Sequence, residues 1–218
     1  MTLEHLVRRP ERGAGPPPLV ILLHGLGADE ADLFGLAPAL DRRFLVVSAR
    51  APREAQPMGF AWYDIDWFRT PPRVDAAQAL EARGLLARFL GEAVEGYGAD
   101  PSRVWLVGFS QGASMALGLA LAHPGRVRGV AAHSGRIVPA FLPAAPPPGL
   151  AGLPVLWQHG RADAVVPVSW GREARELLPP LGVRLDYREY DLGHEIGDRS
   201  LRDLAGWLAA RLDEVAPP

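Results

Sequence analysis

Cysteine, lysine and asparagine are all missing from this chain of 218 residues. Without cysteine there is no disulfide, no thiolate metal site and no Cys nucleophile. Without lysine there is no Schiff-base chemistry and no P-loop lysine; all 23 basic residues are arginine. Without asparagine there is no N-glycosylation acceptor. The net charge of −2 lacks the basic excess expected for nucleic acid or an anionic membrane surface. Met1-Thr2-Leu3-Glu4-His5 has no basic stretch ahead of an apolar run, so no secretory signal and a cytoplasmic location are expected. The same absences, with 22 prolines, fit thermostability and GC-rich coding equally well.

What is present is an ordinary globular composition, 48% apolar and 22% charged, and a length that suits one domain spanning 1–218. Continuous apolar runs at 19–23, 44–47, 104–107, 127–132, 155–157 and 183–190 read as strands covered on both faces. Helical patterns fall between them, at 31–40, 74–97, 111–122, 169–178 and 200–212. Such alternation predicts an α/β protein with a mostly parallel, doubly wound sheet, and residues 3–8 are expected as an antiparallel edge. Residues 104–122 carry no charge and are long enough to span a membrane. Gly108, Ser110, Gln111, Gly112 and Ser114 inside that run argue instead for a buried strand and a buried helix, with no integral membrane association.

The turn joining that strand to that helix is Gly108-Phe109-Ser110-Gln111-Gly112, a G-x-S-x-G between an apolar strand and a small-residue helix. The arrangement strains the serine backbone and leaves no room for a Cβ at either glycine. It lifts the serine hydroxyl to the sheet edge at a helix N-terminus, where negative charge is stabilised. A serine hydroxyl needs a base within hydrogen-bond reach and a third group to orient that base. Of the six histidines, His133, His159 and His194 follow Ser110, and only His194 sits in a loop between a strand pattern and a final helix. It is the expected general base. Asp163, in a short Gly-containing turn after a strand, is the expected acid; Asp191, three residues before His194, is its rival. Glycines on both sides of Leu26 let the chain after the first central strand turn its N–H inward. With the Gln111 N–H this makes an expected oxyanion hole, worth ~3 kcal/mol of barrier per donor. His24 is expected to brace that loop. Trp62, Tyr63, Trp67 and Phe68 lie in a long connection, and Trp62 has two readings: a flank of an acyl pocket with Leu26, Ile137 and Val166, or plain core.

Five segments occur in one order: His24-Gly25-Leu26-Gly27-Ala28-Asp29, Trp62-Tyr63-Asp64-Ile65, Gly108-Phe109-Ser110-Gln111-Gly112, His159-Gly160 with Asp163-Ala164-Val165-Val166-Pro167, and Gly193-His194-Glu195-Ile196. Across roughly 17–211 the chain resembles the phospholipase/carboxylesterase family of α/β-hydrolases, which includes acyl-protein thioesterases and small bacterial carboxylesterases. The resemblance implies an α/β-hydrolase fold with little or no lid, and a serine hydrolase with Ser110, Asp163 and His194 as its triad. It also implies Leu26 and Gln111 as oxyanion donors, no metal or organic cofactor, and a small-molecule or lipid acyl ester as substrate. Relatives of this kind are monomers or dimers. Ala113 stands where the family often has a second glycine, and the proline-rich stretch 141–150 falls in a variable region, so acyl-chain preference does not carry over. The same triad would serve an acyltransferase, and a non-catalytic binding module would keep the fold alone.

Overall fold

A computed structural model describes residues 1–13 and 15–214. The strands are β1 His5–Arg8, β2 Leu19–Leu23, β3 Leu45–Ala49, β4 Arg53–Glu54, β5 Phe60–Ala61, β6 Ile65–Asp66, β7 Arg73–Val74, β8 Val104–Phe109, β9 Gly129–His133, β10 Pro154–Gly160 and β11 Arg184–Tyr190. The helices are α1 Glu30–Phe34, α2 Ala76–Tyr97, α3 Gln111–Ala122, α4 Val168–Leu177 and α5 Asp198–Asp213. Seven strands form one sheet in the order β1-β3-β2-β8-β9-β10-β11, parallel except for the antiparallel edge β1. This is the mostly parallel, doubly wound sheet expected from the strand–helix alternation, and it agrees with the α/β-hydrolase fold that the resemblance implied. The helical pattern at 31–40 is shorter than its periodicity suggests: α1 stops at Phe34, and Pro38 sits in a separate 3₁₀ turn, because proline cannot continue the α-helical ladder.

Side chains of β2 alternate between two cores. Leu19, Ile21 and Leu23 face α2, α3 and α4; Val20 and Leu22 face α1 and α5. Both faces are apolar, which is why the runs are continuous rather than alternating. Helix α3 is buried along almost its whole length, and a Cβ at Gly118 would fall 2.4 Å from the Phe141 ring packed on it. The uncharged 104–122 run is thus β8 plus α3, wrapped in protein. Among the described residues no helix is long and apolar enough to cross a membrane. The parallel strands end on one rim, and the chain places its functional candidates in the turns that follow β2, β8, β10 and β11. Between β3 and α2 the chain makes two short ribbons, β4–β5 and β6–β7, and crosses the same rim without adding a helix.

Candidate active site

The turn at Ser110 is built by exclusion. Ser110 adopts φ 55° and ψ −115°, a strained backbone for a residue with a Cβ, and its N–H donates to His133 O at 2.9 Å. A Cβ on Gly108 would lie 2.2 Å from Gly112 O, and one on Gly112 would lie 1.9 Å from Leu23 O. Both glycines are therefore required, so that β8, α3 and β2 approach closely enough to force the serine upward.

Asp163 follows β10 and is buried. Its Oδ1 accepts the N–H groups of Val165 at 3.0 Å and Val166 at 2.8 Å. Its Oδ2 accepts a hydrogen bond from His194 Nδ1 at 2.7 Å. Burial alone would raise this carboxyl, but the His194 bond and the two backbone donors outweigh it, and the net shift is downward. His194 lies in the turn after β11, with the Phe109 ring against its imidazole at 4.7 Å between centroids. With Nδ1 committed to Asp163, Nε2 is the nitrogen left for another partner. Ser110 and His194 line one cavity of about 150 Å³. Asp191, the rival acid, is exposed and pairs instead with Arg161 at 2.5 Å.

Three other histidines hold the rim in place. His24 is fully buried; its Nε2 accepts the Ala51 N–H at 2.9 Å and its Nδ1 meets Gly25 O at 2.7 Å, which fixes one neutral tautomer. His159 accepts from Trp157 Nε1 at Nδ1 and donates from Nε2 to Val166 O at 2.8 Å, bracing the turn that carries Asp163. His133 donates from Nε2 to Glu195 O at 2.8 Å, tying β9 to the residue after His194. Burial lowers all three, His133 to about 4.

Leu26 and Gln111 both line the cavity, and among the described residues neither N–H donates to a backbone or side-chain acceptor. Gly27 and Phe60 pin the Leu26 loop to β5, with Gly27 N–H donating to Phe60 O at 2.9 Å. The Gln111 side chain adds a clamp that its position after the serine did not reveal. Its Oε1 accepts the Trp62 N–H at 3.0 Å, and its Nε2 donates to Tyr63 O at 2.7 Å.

Of the expected acyl-pocket residues, Val166 lines the cavity but Trp62 and Ile137 do not. Trp62 is fully buried, donating its indole N–H to His24 O at 3.0 Å, so its core reading replaces the pocket reading. Ile137 faces the core with Val138, because the strand-end turn exposes its neighbour instead. That neighbour, Arg136, lines the cavity together with Tyr63, Ile65, Trp67, Ser114, Val165 and Trp170. Sequence reading missed Arg136, although it lies three residues past the end of a central parallel strand, where site residues of such sheets gather. Phe109 and Trp170 carried no comparable signal. Among the described residues no three His, Asp or Glu side chains group to hold a metal.

The fold and this rim of strand-end residues place the chain among the α/β-hydrolases. Residues 10–212 match the family described as Phospholipase/Carboxylesterase, and the chain belongs to that family. It is 31% identical over 211 residues to acyl-protein thioesterase 1 of Eremothecium gossypii, covering 90% of this chain and 89% of that protein. Among solved structures it is similar to a carboxylesterase from Mesorhizobium loti, with a TM-score of 0.84 and 28% identity over 96% of this chain and 95% of that one. Esterase PE8 shows a TM-score of 0.78 at 32% identity over 95% and 98% of the two chains.

Proposed function

We propose that this chain, acting as a single domain, hydrolyses carboxylic esters or thioesters through an acyl-serine on Ser110. His194 Nε2 takes the Ser110 proton as Oγ attacks the carbonyl. Asp163 holds the imidazole in the required tautomer and stabilises its cationic form. The N–H groups of Leu26 and Gln111 receive the oxyanion. The tetrahedral adduct collapses with protonation of the leaving group by His194, and water then repeats the cycle on the acyl-serine. The observation that carries this reading is the strained Ser110, sharing one cavity with an imidazole whose far nitrogen donates to a buried carboxylate. Family membership and relatives named carboxylesterase and acyl-protein thioesterase support it. A monomer or homodimer in the cytoplasm, with a small-molecule or lipid acyl ester as substrate, completes the proposal.

The test is labelling by a fluorophosphonate together with steady-state hydrolysis of p-nitrophenyl butyrate. Ser110→Ala is expected to abolish labelling and to lower kcat by on the order of 10⁴-fold or more while the circular dichroism melt is kept. Comparable hydrolysis by Ser110→Ala would remove the mechanism.

A further inference from the structure

Arg136 is the charged side chain of the cavity that the acyl-serine chemistry leaves without a task. Its carbonyl accepts the Ser114 hydroxyl at 2.7 Å, which anchors its backbone to α3. Its guanidinium lies over the Trp170 ring, 4.1 Å from the centroid, and Nη1 donates to Pro72 O at 3.0 Å. Nε and Nη2 donate to no protein acceptor, and they are not sealed from solvent.

Some partly exposed arginines of this chain have acids, as Arg50 with Glu30, Arg172 with Glu189 and Arg188 with Asp186, while Arg8, Arg83, Arg103 and Arg128 make no ion pair among the described residues; of the unpaired ones, Arg136 is the one that lines the cavity with Ser110. Among the described residues Arg136 has no carboxylate within 4.0 Å; Glu173 acts on it only from farther away. Burial pulls the guanidinium below its ordinary value, with Tyr63 and Glu173 opposing. An arginine stays charged in a protein, so a half-buried one without a counter-ion is a standing electrostatic cost that an incoming anion relieves. Its planar fork suits two carboxylate oxygens at once. Arg136 also borders an adjoining open groove that carries Arg69 and Arg73. Arg69 is paired with Asp66, and Arg73 makes no ion pair among the described residues, although Asp64 and Asp75 line the neighbouring pocket with it.

Resting on the acyl-serine reading above, we propose that Arg136 receives a carboxylate carried by the substrate, which makes short anionic esters the preferred substrates of this chain. The cavity of about 150 Å³ that Ser110 and Arg136 both line sets the scale, which favours a short substrate. A neutral ester of the same length fills the space and leaves the guanidinium unpaired. An anionic ester gains a charge-assisted contact that holds the carbonyl against Ser110. The carboxylate could arrive on the acyl side or on the alcohol side, and the two are separable.

The experiment measures kcat/KM of the full chain at low ionic strength for two matched pairs, after subtraction of spontaneous hydrolysis. The acyl-side pair is p-nitrophenyl hydrogen adipate against p-nitrophenyl hexanoate. The alcohol-side pair is carboxymethyl butyrate against ethyl butyrate. The expected result is a preference of about tenfold or more for the anionic member of one pair. That ratio falls about tenfold in Arg136→Gln and is partly restored in Arg136→Lys. The ratio is internal to each variant, so a general loss of activity cancels; if Arg136→Gln fails to fold, the wild-type ratios decide. Hydrolysis of all four esters without charge preference, or a preference that survives Arg136→Gln, overturns the inference and leaves the hydrolase reading standing. No hydrolysis of any ester, with no fluorophosphonate labelling of Ser110, overturns both.

Discussion

The cavity has two walls of different construction. One is made by the turns after β8, β10 and β11. There Asp163 uses both carboxylate oxygens, and Gln111 uses both ends of its amide. Below it His24 has partners on both ring nitrogens. The other wall is made by the connection between β3 and α2 and by Arg136. It presents Ile65 and a half-exposed Trp67, with Phe68 standing fully in solvent beside them. The first wall is held by buried polar bonds and close backbone contacts, so its atoms have one arrangement. The second has apolar surface without cover and a charge without a counter-ion. In the proposed reading, reaction geometry belongs to the first wall and choice of substrate to the second.

The comparison can be broken at several points. The largest effect is expected at Gly112, where any side chain must enter the space of Leu23 O. Gly112→Val should give no folded protein, judged by soluble yield and near-ultraviolet circular dichroism. A folded Gly112→Val would show that the elbow has slack. Asp163→Asn should lower kcat by on the order of 10⁴-fold, because the amide favours the wrong imidazole tautomer. A drop below about tenfold would move the acid elsewhere on the rim.

A third effect is on stability. His133 is held near 4 by burial against an ordinary value of 6.5, so between those pH values the unfolded chain binds the proton and the folded chain does not. Stability is therefore complete above pH 6.5 and declines as pH falls towards 4, by on the order of 3 kcal/mol. Glu189, held at about 2 chiefly by its Arg172 bond, adds a further loss as pH falls below its ordinary 4.5. Urea unfolding at pH 7, 5.5 and 4 measures the slope, and a flat line from 7 to 5 would show that the first wall tolerates charge. The smallest effect belongs to the second wall. Phe68→Ser should change stability by less than about 0.5 kcal/mol, since its ring touches so little. A larger loss by thermal melt would mean that the bracing of this wall reaches past Trp62 and Tyr63, which Gln111 holds.

Much of the first wall was legible in the sequence. Gly-x-Ser-x-Gly after an apolar run specifies an elbow by steric exclusion alone, and strand-end positions of Asp163 and the His194 loop follow from the order of elements. The second wall was not legible. Trp62, an aromatic in a long connection, reads as either pocket or core, with the family resemblance tilting it towards the pocket. It is buried because its N–H groups complete bonds to Gln111 and His24, partners 49 and 38 residues away. Arg136 was one arginine among 23 basic residues; its place just past a central strand put it near the rim, but nothing local marked its side chain as facing the cavity.

The sequence by itself determined the sheet, the elbow and the order in which a hydroxyl, a carboxylate and an imidazole reach the rim. These depend on periodicity, on glycine sterics and on chain order, all of which are local. Only the tertiary structure decided which carboxylate meets the imidazole, which aromatic ring is core, and which unpaired arginine faces the cavity. Those outcomes depend on distances between segments far apart in the chain. Such distances are set by how two cores pack against one twisted sheet, and no short stretch of residues encodes them.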